Sequence, residues 1–193
     1  MLLFIKKTLL LLSACMVLFV GVSGNAFARS LDDDIHRYDS VLSEFIYSMF
    51  LFVRWPEGTF IANDSPIRIV FFGGHELADK AHEIIGERKV GNRHVVVEKA
   101  RYLEDIVSCH AIFIGLDKAE ELDSVLNAFS AKPIVTMGDS QGFSEKGVIF
   151  NFFTDKAKIR FKSNIGAAEK AGIRISSELL KLSLIIGDEA HVR

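Results

Sequence analysis

The chain has 193 residues, 25% of them charged and 49% hydrophobic, with a formal net charge of −2. So much apolar content at so small a net charge excludes an intrinsically disordered protein, and the missing basic surplus argues against a nucleic-acid binder that works through bulk charge. The length is one domain's worth, and only the mean hydropathy of +0.25 is high for a water-soluble domain.

The first 28 residues carry much of that hydropathy. Lys6 and Lys7 close a short charged region, Thr8 to Val22 is an almost unbroken apolar run, and Ala26-Phe27-Ala28 is a small-x-small cleavage motif. This is the pattern of a secretory signal peptide cut after Ala28. The run falls short of the roughly 20 residues that a membrane span needs. Leu12-Ser13-Ala14-Cys15 resembles a lipobox with Cys15 as the acylated residue, but the chain after Cys15 stays apolar, which suits the core of a signal peptide. The expected products are residues 1–28, removed, and a single secreted domain over 29–193. That domain has 165 residues, 21 basic and 25 acidic, a net charge of −4, and one cysteine, Cys109. A lone cysteine permits no intramolecular disulfide, although the compartment is oxidising.

The first expected element of the domain is a helix from about Leu31 to Val53. Leu31, Ile35, Tyr38, Leu42, Phe45, Met49 and Phe52 recur at alternating spacings of four and three, a helical stripe. Asp32 to Asp34 supply a cap and favourable charge at its start. Val41, Ile46, Phe50 and Val53 widen the stripe beyond one buried face. Either the helix sinks deep into one core, or it touches the sheet on one side and another protein or subunit on the other. Trp55-Pro56 ends it, since proline disfavours helix at the residue before. Residues 57–66 read as a loop.

Strands are expected at Pro66–Phe72, His94–Lys99, Ala111–Ile114 and Pro133–Met137. Helices are expected at Glu76–Ile85, Leu103–Ser108 and Asp117–Phe129 between them. Gly138–Gly147 is a polar loop or short helix. Val148–Phe153 and Lys158–Lys162 form a hairpin, and a last helix runs from Asn164 to Ile186, capped by Asn164. Alternating strands and helices predict an α/β fold: three layers, α/β/α, with a mostly parallel sheet and the hairpin as its antiparallel edge.

A ligand in such a fold sits beyond the carboxyl ends of the strands. The candidates for a small-ligand crevice are Gly73, Gly74, His75, Asp139 and Ser140. No G-x-G-x-x-G and no G-K-[ST] is present, so neither a dinucleotide site nor a P-loop is supported. Cys109-His110 is the most enzyme-like pair. Adjacent residues entering a strand point to opposite faces, however, which places His110 badly as the base for Cys109. The histidines lack the close spacing of a zinc site, so no metal or cofactor is expected. Glu120, Glu121 and Asp123 read as a solvated helix face. Lys156, Lys158, Arg160 and Lys162 form one basic row on a strand; such rows block unwanted strand pairing, and a partner-facing strip is the other reading. No catalytic constellation emerges, and the expected protein is not an enzyme.

Several segments, in this order, resemble the YfiR family of bacterial periplasmic proteins. They are Gly91-Asn92-Arg93-His94-Val95-Val96-Val97, Cys109-His110-Ala111-Ile112-Phe113-Ile114, Gly142-Phe143-Ser144-Glu145-Lys146-Gly147-Val148-Ile149-Phe150, and Lys158-Ile159-Arg160-Phe161-Lys162-Ser163-Asn164. Ala167-Ala168 and Ala171 to Leu180 continue the match, and Trp55-Pro56 after an aromatic helix fits the family's first segment. The resemblance implies a non-enzymatic regulator that binds the periplasmic domain of an inner-membrane signalling protein, a diguanylate cyclase in the best-known type, and represses it. It also implies sequestration by an outer-membrane lipoprotein and a homodimer, and the charge balance already argues against a nucleic-acid partner. The family often carries paired cysteines; here Cys109 stands alone. On this reading the first helix with Trp55-Pro56, and the 138–147 loop, supply a partner or dimer surface: Phe45, Met49, Phe52, Trp55, Pro56 and Phe143. The alternative function is a periplasmic small-molecule-binding module that uses the strand-end crevice.

Overall fold

The computed structural model describes residues 35–187. The expected signal peptide, with Cys15 and Ala28, and the acidic cap at 32–34 lie outside the described residues. The account below concerns the compact unit that begins at Asp39.

Residues 35–52 are helical (α1). Val53–Arg54 is already a short strand, β1, so the helix ends one residue before the expected Val53. Then follow β2 (Ile67–Phe72), α2 (His75–Ile85), β3 (Lys89–Val90) and β4 (Arg93–Ala100). The helix expected at 103–108 is only a 3-10 turn, Leu103–Asp105. After β5 (Ala111–Ile114), the helix expected at 117–129 divides into a 3-10 segment, Leu116–Glu121, and α3 (Leu122–Ala128). Next come β6 (Val135–Gly138), α4 (Phe143–Lys146), β7 (Phe150–Asp155) and β8 (Lys158–Asn164).

The helix expected over 164–186 is not there. Asn164 does cap a helix, its Oδ1 accepting from the Ala167 N–H at 2.8 Å, but that helix (α5, Ile165–Lys170) stops after six residues. Gly172 takes a left-handed φ of +69°, which turns the chain out of the helix at little steric cost. Arg174–Ile175 (β9) then pairs antiparallel with β1. Ser176 caps α6 (Ser177–Leu180), and Leu184–Ile186 (β10) pairs parallel with β8. The 3,4 spacing of Ile165, Ala168, Gly172, Ile175, Leu179, Leu182 and Ile186 fits a helix, but strand pairing with distant segments overrides it.

The main sheet has the order β10-β8-β7-β6-β5-β2-β4-β3. Strands β4, β2, β5, β6 and β7 are parallel, as expected. The β7–β8 hairpin is antiparallel, as expected, but it is not the edge: β10 lies outside it. Their in-register pairing sends Ile69, Phe71, Phe113, Met137, Phe150 and Phe161 to one face, where α1 and α2 lie. Asp79 of α2 reaches Lys99 of β4, and Arg88, just after α2, pairs with Glu44 of α1. The opposite face carries Val70, Phe72, Ile112 and Ile114 under α3 and α4. This is the three-layer arrangement. Leu42, Ile46, Met49 and Phe50 of α1 are at most 1% exposed, and each such side chain contributes about 1.5–3 kcal/mol by burial. The sequence's widened stripe therefore divides. These residues fill the core, while Val41, Leu51 and Phe52 remain exposed at 42%, 46% and 38%.

The hairpin turn carries strain. Asp155 pairs with Lys158, so Lys156 and Ala157 form a two-residue loop with φ of +48° and +60°. Both positions suit Asn-Gly far better than Lys-Ala. Replacing Ala157 by Gly, or both residues by Asn-Gly, is expected to stabilise the fold by about 1 kcal/mol. Urea unfolding checks this, and an unchanged or lowered midpoint would contradict it.

Candidate functional site

The Cys109-His110 pair separates on entering β5. Cys109 is 9% exposed within the apolar cluster beneath α3 and α4. Burial, and next the Glu98 carboxylate, push its thiol up to about 12. A nucleophilic cysteine needs the opposite environment. His110 is engaged elsewhere. Its N–H donates to the Arg68 carbonyl at 2.9 Å, and its Nδ1 accepts from the Arg68 N–H at 3.0 Å. Nδ1 is therefore the unprotonated nitrogen of a neutral ring. Its carbonyl accepts from the Val135 N–H at 3.0 Å and from the Trp55 indole Nε1–H at 3.1 Å.

These bonds anchor a corner of aromatic rings at the end of α1. Trp55 packs against Phe50 (centroids 6.0 Å) and edge-on to Phe60 (5.7 Å). Phe60 stacks on His110 at 4.5 Å, and the Arg93 guanidinium lies over the same ring at 3.8 Å. Arg93 also donates to the Ala62 and Ser65 carbonyls at 2.8 Å, which fixes the 57–66 loop. Trp55 and Phe60 end half-buried, and Pro56 is exposed.

Beside this corner lies an apolar groove of about 760 Å³ between α1, β8 and α6. Phe45, Met49, Phe52, Phe161, Leu179 and Leu182 give it apolar walls, with Glu44, Lys158 and Arg160 among its polar lining residues. Phe45 meets Phe161 edge-on at 6.4 Å, and Leu182 is 73% exposed. The structure thus brings Phe45 and Phe52 together in one groove and places Trp55 and Pro56 just past the end of α1. It sends Met49 (1% exposed) and Phe143 (3%) into the chain's own core. Those two expected surface residues are corrected to packing residues, although Met49 still forms part of the groove floor. Leu179, Leu182 and Phe161 were missing from the expected surface. The first two were assigned to a long helix, and a strand residue's facing depends on register that the sequence does not print. Two of the four residues of the basic row are paired: Arg160 with Asp155 at 3.2 Å and Lys162 with Glu145 at 2.5 Å. Such exposed pairs contribute little to stability.

At the carboxyl ends of the strands, Gly73 and Gly74 both take positive φ. The Gly74 N–H donates to Asp117 Oδ1 at 2.8 Å. A Cβ on Gly115 would stand 2.5 Å from the Gly74 nitrogen. The β2 and β5 loops are therefore clasped together where the strand order reverses. His75 begins α2, while Asp139 and Ser140 follow β6. Burial first, then Asp39 and Asp117, raise the Asp139 carboxyl above its ordinary value. Among the described residues, His75 Nδ1, Asp139 Oδ1 and Ser140 Oγ are buried without a hydrogen-bond partner.

Among the described residues no cluster of three or more His, Cys, Asp or Glu could hold a metal ion. Nor is any described helix long and apolar enough to cross a membrane. The YfiR/HmsC-like family model matches residues 39–184. A crystal structure of a conserved domain protein from Vibrio cholerae O1 biovar eltor is similar at 16% identity and a TM-score of 0.43, over 66% of this chain and 56% of that one.

The burial of Cys109 has a direct readout. In a Cys15→Ser background at pH 8, the native thiol is expected to react with a thiol reagent on the order of a thousand-fold more slowly than in the urea-unfolded chain. Equal rates would contradict an inert, packed Cys109.

Proposed function

Because the chain belongs to the YfiR/HmsC-like family of periplasmic regulators of cyclic di-GMP signalling, we propose that it binds the periplasmic domain of an inner-membrane diguanylate cyclase and holds it inactive. The observation that carries this reading is the two-sided use of α1. One side fills the core, and the other leaves Val41 and Phe52 lining an open apolar groove with Leu182. Apolar and aromatic side chains gathered in a groove are the usual anchors of a protein interface. Trp55 and Pro56 line a separate hollow past the end of α1 and are the second candidate contact of this reading. An outer-membrane lipoprotein that sequesters the free regulator, and a second copy of the chain, are the other partners of this reading.

Repression then needs no chemistry. A regulator shifts its partner between active and inactive states only by its differential affinity for them. Moving a partner from 99% active to 99% inactive takes about 10⁴-fold preference, roughly 5.5 kcal/mol. A few well-buried anchors supply energies of that size.

In cells that lack the protein, cyclic di-GMP is expected to rise, and the wild-type gene restores the lower level. Phe52→Asp and Leu182→Asp place a charge in the groove at positions exposed enough to leave folding intact, which their urea midpoints verify. Both are expected to leave cyclic di-GMP within about twofold of the deletion strain, a loss of at least 2 kcal/mol of anchor energy. Full repression by both variants would exclude the groove as the docking surface.

A further inference from the structure

The groove and the aromatic corner differ in one respect. The corner is held in part by an imidazole ring, whose hydrogen bonding depends on its protonation. Trp55 is the chain's single tryptophan, and its indole N–H is bound to the carbonyl of His110. The ring of the same residue stacks on Phe60 and accepts the Arg68 N–H through Nδ1. The corner therefore needs His110 in one protonation state, the neutral one with Nδ1 bare.

We propose that His110 is a proton-operated latch on the Trp55–Phe60 corner, closed when the imidazole is neutral and released when it is protonated. The inference rests on the docking reading only for its biological consequence. A proton on Nδ1 puts a second donor opposite the Arg68 N–H, so a short hydrogen bond becomes a clash of two donors. The charged groups facing the ring oppose protonation as well. Arg68 comes from β2, where its guanidinium is itself paired with Glu98 of β4 at 2.5 Å. Arg93 comes from β4 and already lies over the π face of Phe60, so an imidazolium gains less from that ring than it would from a free one. Cys109, beside His110, carries no charge at these pH values. Burial, then Arg68, then Arg93 hold the imidazole below its ordinary value. A group whose folded value is depressed in this way gives its full stabilisation above the unfolded value near 6.5. That stabilisation is lost as the pH falls below about 6.5 toward the folded value. A periplasmic compartment takes the pH of its medium, so the latch would make partner recognition acid-sensitive.

The test uses Trp55 emission of the isolated chain between pH 8 and pH 5. Wild type is expected to show a red shift of several nanometres with a midpoint below 6.5, alongside a falling urea midpoint. His110→Asn places an amide oxygen where Nδ1 stood and does not titrate, so its emission is expected to stay flat. A flat wild-type emission overturns the latch, and so does the same transition in His110→Asn. Should the variant lack a cooperative urea transition at pH 8, proton NMR of wild type decides. The His110 ring proton and the Trp55 indole proton are expected to titrate with one midpoint, and a His110 that stays neutral to pH 5, or a Trp55 signal that ignores it, overturns the latch. None of these readouts uses a partner. Their failure leaves the docking surface standing, and failure of the groove variants leaves the latch standing.

Discussion

Four hydrogen bonds at one residue set the geometry where the end of α1 meets the sheet. His110 ties the entry of β5 to β2 through two bonds to Arg68, to β6 through Val135, and to the end of α1 through Trp55. Two of them, from the His110 N–H to Arg68 and from the Val135 N–H to the His110 carbonyl, are the backbone bonds a parallel sheet makes. The bond to Nδ1, the bond from Trp55 and the ring stack are extra: they bring Phe60, Arg93 and the 57–66 loop to the same point. The residue that looked most like half of a catalytic pair is thus a fastener, and Cys109 beside it is a packed thiol.

The second constraint is the face of α1. A surface helix buries one stripe. This one buries Leu42, Ile46, Met49 and Phe50 and still exposes Val41, Leu51 and Phe52. The returning chain turns that surplus into a groove. Gly172 and β9 bring the segment after α5 back against β1, and α6 then sets Leu179 and Leu182 opposite α1. Without the left-handed turn at Gly172 the last residues would run off as a helix, and the groove would have one wall fewer.

Much of this was legible in the residues. The four strands read at 66–72, 94–99, 111–114 and 133–137 are present, because these runs are too short for helices and rich in β-branched or aromatic residues. Asn164 as a helix cap was legible because its side-chain chemistry is local. The C-terminal segment was not. Its apolar spacing fits a helix, and only pairing with Val53–Arg54 and with Lys162–Asn164, far away in sequence, makes strands of Arg174–Ile175 and Leu184–Ile186. In the site, Phe52, Trp55 and Pro56 could be picked out because an over-wide stripe ends at a proline. Phe143 could not be placed: a phenylalanine between Gly142 and Gly147 looks exposed until α4 folds it under the sheet. The role of His110 was hidden because nothing in its neighbourhood in sequence names Arg68, Phe60 or Trp55 as its partners.

The most direct test of the docking face is site-specific photo-crosslinking in intact cells, with p-benzoylphenylalanine in place of Phe52 in the groove and, as control, of Val107, which is 92% exposed near the entry to β5. The account predicts an adduct from position 52, and none from position 107, with an inner-membrane protein that carries a diguanylate cyclase domain. The same adduct from both positions, or from position 107 alone, would contradict it.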